Sequence, residues 1–101
     1  VVQQTMVDPG LLTWAQVAER MSSRPAEIGR VAGQGRPLAV GEPANLVLVD
    51  AGATRVVDAT DTASLSRNTP YAGLTIPGRV VATFLRGRAT VLDGELQGVL
   101  V

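Results

Sequence analysis

The sequence predicts an α+β fold: two or three short helices followed by a small β-sandwich-type sheet domain of three to five strands. Three observations carry that expectation. Apolar residues recur at helical spacing in 1–33, a glycine- and proline-rich stretch fills 34–44, and continuous aliphatic runs come after it. The division therefore falls between a helical part at 1–34 and a small β domain at 35–101.

The first helical signal is Val1 to Val7, stopped by Asp8-Pro9-Gly10. Thr13-Trp14-Ala15-Gln16 has the capping-box pattern, with Leu12 and Val17 at the staple positions. Trp14, Val17, Ala18 and Met21 then follow one helix face. A third, shorter helix is expected from Pro25, whose fixed φ suits a first helical position, and Gly29 or Gly33 ends it. Beyond the linker, Asn45 to Val49 is an aliphatic run, Ala51-Gly52 a turn, and Thr54 to Val57 a second strand, which reads as a hairpin. Residues 58–77 form a long irregular loop. Arg79 to Leu85 is the strongest strand, Arg86-Gly87 turns into Arg88 to Leu92, and Asp93-Gly94 turns again towards a last short strand at Gly98 to Val101. The sheet so assembled is antiparallel or mixed.

Composition narrows the chemistry. Of 101 residues, none is histidine, cysteine or lysine, and all nine basic residues are arginine. No imidazole can shuttle protons, no thiolate can attack, and no amine can form a Schiff base or carbamate. Nine carboxylates, some hydroxyls and Tyr71 remain. A transition metal would find oxygen ligands only, whereas zinc prefers nitrogen and sulfur. The formal net charge is zero, which gives no field for nucleic acid or an anionic membrane. No stretch approaches the roughly 18 apolar residues of a bilayer span. The absence of cysteine favours a reducing compartment, and the abrupt start at Val1 reads as the tail of a longer protein.

Four stretches invite a functional reading. Gly33-Gln34-Gly35-Arg36-Pro37 looks like a phosphate loop but has a helix before it and a strand after it, the reverse of a dinucleotide fingerprint. Arg86-Gly87-Arg88 suits a solvated hairpin turn better than a nucleic-acid contact. Asp58 and Asp61 lie in a Thr/Ser-rich loop, where carboxylates serve as turn acceptors more often than as acid–base pairs. Arg67-Asn68-Thr69-Pro70-Tyr71 places polar groups and one aromatic in a loop, where functional residues often sit.

Two longer stretches carry a family resemblance. Gly35 to Asp50 resembles the segment in amidohydrolase-superfamily enzymes where the chain leaves the metal-dependent barrel and enters a small β domain. Leu11-Leu12-Thr13 and Ser22-Ser23-Arg24-Pro25-Ala26 resemble the last helices of that TIM-like barrel. Ser66 to Gly73, followed by Gly78 to Arg88, is most similar to dihydroorotase. Asn45 departs from the Asp common in the superfamily, and Arg24 from an Asn before Pro-Ala, which leaves the capping role to Ser22 or Ser23.

The resemblance implies the C-terminal structural portion of a zinc-dependent dihydroorotase. Such an enzyme interconverts L-dihydroorotate and N-carbamoyl-L-aspartate in pyrimidine synthesis, with zinc held by histidines, often with a carboxylated lysine and an aspartate. It implies those ligands lie upstream of Val1, so no catalytic, substrate-binding or metal-ligating residue is assigned to this sequence, and the piece alone is expected to be inactive. Implied partners are the remainder of the barrel, further copies in a homo-oligomer and aspartate transcarbamoylase, in the cytoplasm, with neither nucleic acid nor membrane. Trp14, Val17 and Met21 would cover the barrel, while Val47, Val49, Val80, Ala82 and Phe84 would fill the small domain's core. The alternatives are a stand-alone interaction module derived from an amidohydrolase, or the tail of an allantoinase or hydantoinase.

Overall fold

The computed structural model describes residues 1–98. Helix α1, Gln3–Val7, is one wide turn in which the Asp8 N–H donates to the Gln3 carbonyl at 2.9 Å. Gly10, at φ +83°, then reverses the chain. The capping box forms as its sequence indicates: the Gln16 N–H donates to Thr13 Oγ1 at 3.2 Å, and the Thr13 N–H donates to Gln16 Oε1 at 2.9 Å.

The helix it opens does not stop before Pro25. Segments Trp14–Ala18, Glu19–Ser23 and Arg24–Ile28 run on without a break as α2, so the separate third helix is not observed. The middle segment is widened: the Arg24 N–H reaches the Glu19 carbonyl, five residues back. A proline inside a helix has no N–H to give, and its ring crowds the carbonyl one turn earlier. A widened turn directly before Pro25 gives the ring room and keeps the axis continuous.

The end of α2 is a Schellman motif. The Val31 N–H donates to the Ala26 carbonyl at 2.9 Å and the Arg30 N–H to the Glu27 carbonyl at 3.2 Å. Of the two glycines expected to end the helix, Gly29 is its cap but keeps a helical φ of −77°. The left-handed position falls instead on Arg30, at φ +53°.

Four strands follow: β1 Leu46–Val56, β2 Thr75–Leu85, β3 Arg88–Leu92 and β4 Glu95–Leu96. They form one antiparallel sheet in the order β1-β2-β3-β4. Both connections after β2 are two-residue turns with positive φ at each position: Arg86 (+49°) and Gly87 (+80°), then Asp93 (+49°) and Gly94 (+82°). That is type I′ geometry, whose twist matches the strands it joins. The strand expected at Gly98 to Val101 falls beyond the described residues except for Gly98, which is not in a strand.

The expected hairpin around Ala51-Gly52 is not formed. Leu46 to Asp50 and Thr54 to Val56 belong to one strand, and both halves pair with β2. Asp50 faces Arg79 and Thr54 faces Pro77, so the intervening residues bulge outward rather than reversing the chain. The bulge is held internally, because the Gly52 N–H donates to Asp50 Oδ1 at 3.0 Å. Turn-forming residues thus make a bend, because β2 is long enough to pair on both sides of it.

Helix α1 meets the sheet at that bulge. Gln3, only 9% exposed, donates from Nε2 to the Ala51 carbonyl at 2.9 Å. Its Oε1 lies over Gly78 of β2, at φ +87°, where an added Cβ would collide with it.

The core is thin. Ile76 and Ala82 are the buried apolar residues among those described. Phe84 is half-buried, but Val47, Val49 and Val80, expected inside, are largely exposed. So are Trp14 and Met21 of α2, while Val17 is half-buried. The reason is the number of layers: a single sheet carries aliphatic side chains on both faces, and among the described residues no second sheet packs against either. The accessible surface is 7818 Å², where a self-contained domain of this mass exposes about 5,400 Å². The radius of gyration, 15.1 Å, also exceeds the roughly 13 Å of a compact chain of this length.

Arg30 offers a direct check on the helix terminus. Replacing it with glycine removes the left-handed penalty and should raise unfolding stability by about 1 kcal/mol in urea titrations. Gly87→Ala should cost about 1–2 kcal/mol in the same measurement, because it puts a Cβ into the left-handed turn.

Candidate functional site

An open cleft of about 630 Å³ lies between the end of α2 and the glycine-rich linker. Ala26, Arg30, Gly33, Gly35, Arg36 and Glu42 are among the residues that line it. The glycine loop fits its structural reading. A Cβ on Gly35 would lie 2.7 Å from Ala26 Cβ and 2.9 Å from the Ser22 carbonyl, so glycine here allows the linker to lie against α2. The linker is held by a two-pronged ion pair, Arg36 Nε to Glu42 Oε2 at 3.1 Å and Arg36 NH2 to Glu42 Oε1 at 2.6 Å. The hydrogen bonds from Arg36 hold the Glu42 carboxyl below its ordinary pKa, and Glu42 in turn raises that of Arg36. Both carboxylates of the lining are held by arginines, Glu42 by Arg36 and Glu27 by Arg24, while Arg30 is the second guanidinium at the cleft.

Asn45 connects linker and sheet. Its Oδ1 accepts the Arg86 N–H at 2.8 Å, and its Nδ2 reaches the Gly33 carbonyl at 3.5 Å. An aspartate could make the first contact but has no proton for the second. Arg24, the other departure, pairs with Glu27 at 3.2 Å and Glu19 at 3.7 Å. It lies within a continuous helix, where neither Ser22 nor Ser23 is needed as an N-cap, and the Ser23 hydroxyl donates instead to the Glu19 carbonyl.

The polar loop at 58–74 is closed at its neck. The Val57 N–H donates to the Leu74 carbonyl at 2.9 Å, and the Gly73 N–H to the Val57 carbonyl at 2.8 Å. Arg67 crosses the loop to the Thr60 carbonyl at 3.0 Å. Asp58 Oδ1 accepts both the Thr60 hydroxyl (2.6 Å) and N–H (2.8 Å), and these bonds lower its pKa. Asp58 and Asp61 are joined through the backbone, Asp61 N–H to Asp58 carbonyl at 3.1 Å, as turn residues rather than a carboxylate dyad. The Asn68 and Tyr71 N–H groups donate to the Ser66 and Thr69 hydroxyls, each at 3.2 Å, while Tyr71 is exposed. In Arg86-Gly87-Arg88 the first two residues are the hairpin turn itself.

Other carboxylates are also engaged locally: Asp93 with Arg79 at 2.6 Å, and Asp50 with the Gly52 N–H. Among the described residues, no three acidic, histidine or cysteine side chains gather as a metal site would require. The donor set of this segment does not fit a zinc centre. No helix among the described residues is long and apolar enough to cross a membrane. Gln3 is the residue the sequence reading passed over, counted only within an apolar helical piece. The available signal was Gly78, an isolated glycine within a strand, which marks a bulge or a close approach.

No family model matches the chain. The backbone does match solved structures: an L-hydantoinase (dihydropyrimidinase) from Arthrobacter aurescens superposes with a TM-score of 0.82 at 31% identity, over 95% of this chain and 22% of that one. The fold is thus that of a portion of a cyclic amidohydrolase. In sequence, the chain is 62% identical over 96 residues to a dihydroorotase of Streptomyces coelicolor, covering 95% of this chain and 22% of that protein. It is 54% identical over 97 residues to a dihydroorotase of Mycobacterium tuberculosis, covering 96% of the chain and 23% of the relative. The chain is homologous to a segment of dihydroorotase, spanning about a fifth of the length of these relatives.

The two lowered carboxyls set a pH dependence. A group that titrates lower when folded than when unfolded contributes stability above its unfolded pKa and loses it as pH falls. Unfolding midpoints in urea should therefore drop as pH passes below the ordinary values of 4.5 for Glu42 and 3.8 for Asp58. The combined Glu42→Gln, Asp58→Asn variant should show a flatter profile through that window.

Proposed function

We propose that this chain is an architectural portion of a dihydroorotase and that the reacting groups belong to the rest of that enzyme. The complete protein would interconvert L-dihydroorotate and N-carbamoyl-L-aspartate, with its metal held outside this segment. The observation that carries this reading is the 62% identity to a dihydroorotase across 95% of the chain, in a segment with no histidine, cysteine or lysine. The hydantoinase likeness supports the same architecture, and the identity of 62% to a dihydroorotase against 31% to that hydantoinase favours the dihydroorotase assignment over the alternative amidohydrolases.

In this role α2 and the linker present one apolar surface and the sheet another. The surplus over a self-contained domain, about 2,400 Å², exceeds the roughly 800 Å² per partner of a standard stable interface. That surplus suits the remainder of the enzyme as its cover.

Two measurements test the reading. The purified, mass-verified chain with added zinc should not turn over dihydroorotate; turnover would refute the architectural role. A Streptomyces coelicolor dihydroorotase whose homologous segment is replaced by this chain should retain activity within about tenfold, since a methylene-scale packing change costs about 1 kcal/mol. A folded chimera without activity would count against the dihydroorotase assignment.

A further inference from the structure

We infer that α1 is a detachable latch, held on the sheet by the single buried amide of Gln3. A helix of five residues does not hold its own shape in water, because one turn fixes many dihedrals for few hydrogen bonds. Its shape here depends on what it touches. Val1, Val2 and Met6 stay 37–40% exposed and Val7 is half-buried, so Gln3 is the one buried side chain of the segment. Among the described residues, the one side-chain hydrogen bond from α1 to the sheet is Gln3 Nε2 to the Ala51 carbonyl.

Three separated parts of the sequence are shaped to receive that amide. β1 bulges where Ala51 must turn its carbonyl out of the ladder, and Asp50 fixes the bulge through the Gly52 N–H. β2 carries Gly78 in a left-handed conformation under the amide, leaving the space a Cβ would fill. Asp8, at the C-terminal end of α1, lies 3.5 Å from Gln3 Nε2 and orients the same donor. The Leu12 N–H bonds the Met6 carbonyl at 2.9 Å, which ties the start of α2 to the position of α1. Gln3 is therefore a positioning residue: seated, it aligns the helical segment with the sheet, and unseated, it frees residues 1–12 while the β2–β3 ladder stays intact.

Hydrogen exchange of the full chain, read by segment, tests this independently of the dihydroorotase reading. Gln3→Ala should cut protection at the Asp8 and Leu12 amides by about tenfold or more and leave the β2–β3 ladder unchanged. Gly78→Ala, which expels the amide from the other side, should release the same residues. Gln3→Glu separates the latch from mere packing. The introduced carboxylate cannot donate to Ala51 near neutral pH, and Asp8 beside it adds repulsion, so the segment should be loose. Protonated in acid, the carboxyl regains a donor, and its protection factors should recover relative to those of Gln3→Ala. Uniform loss of protection across the sheet, no change in any segment, or an unprotected Asp8 amide in the unaltered chain would overturn the inference.

Discussion

A sheet needs a cover on every face that carries aliphatic side chains, and the rest of this structure depends on that constraint. β1, β2 and β3 contribute Leu48, Val49, Val80 and Leu92, all partly open to solvent. Val47, on the opposite side of β1 from Leu48, is open as well. At about 25 cal/mol per Å² of apolar area, covering even part of this surface outweighs any ion pair the chain makes. Apart from the Gln3–Ala51 and Asn45–Arg86 bonds, the hydrogen-bonded features are local: a capping box, two tight hairpins, a loop pinned by Arg67 and a linker held by Arg36 and Glu42. They shape the segment for packing without supplying the packing. A segment with this balance makes physical sense inside a larger protein, in keeping with homologues more than four times its length.

The carboxylates support the same interpretation. An active site gathers charges whose environments push their pKa values apart. Here Glu42 is held by an arginine and Asp58 by a threonine, each of which stabilises the charged form, and each carboxylate is exposed or half-buried. Such groups fix turns. The open cleft beside α2 belongs with them, since Glu42 is paired with Arg36 and Glu27 with Arg24.

Local features of the fold were legible in the sequence, while long-range ones were not. Thr13 and Gln16 specify their cap within four residues, and Arg86-Gly87 and Asp93-Gly94 specify hairpins whose strands are adjacent in sequence. Ala51-Gly52 is different. The same residues suit a reversal or a bulge, and the choice rests on β2, more than twenty residues later. Pro25 misled for a related reason: a proline that can begin a helix can also sit within one if the preceding turn widens. Arg30 took a position normally filled by glycine because the Schellman hydrogen bonds fall one residue beyond Gly29. Gln3 could not be identified without knowing that Ala51 and Gly78 lie side by side.

The capping box has one more consequence. It fixes Trp14, the chain's single indole, in the first turn of α2, on the partly exposed apolar face that also carries Met21. An indole in that position senses the polarity around it, so its emission colour reports whether that helical face is wet or covered. The segment thus carries a built-in optical probe of its own assembly, placed by the capping bonds of Thr13 and Gln16.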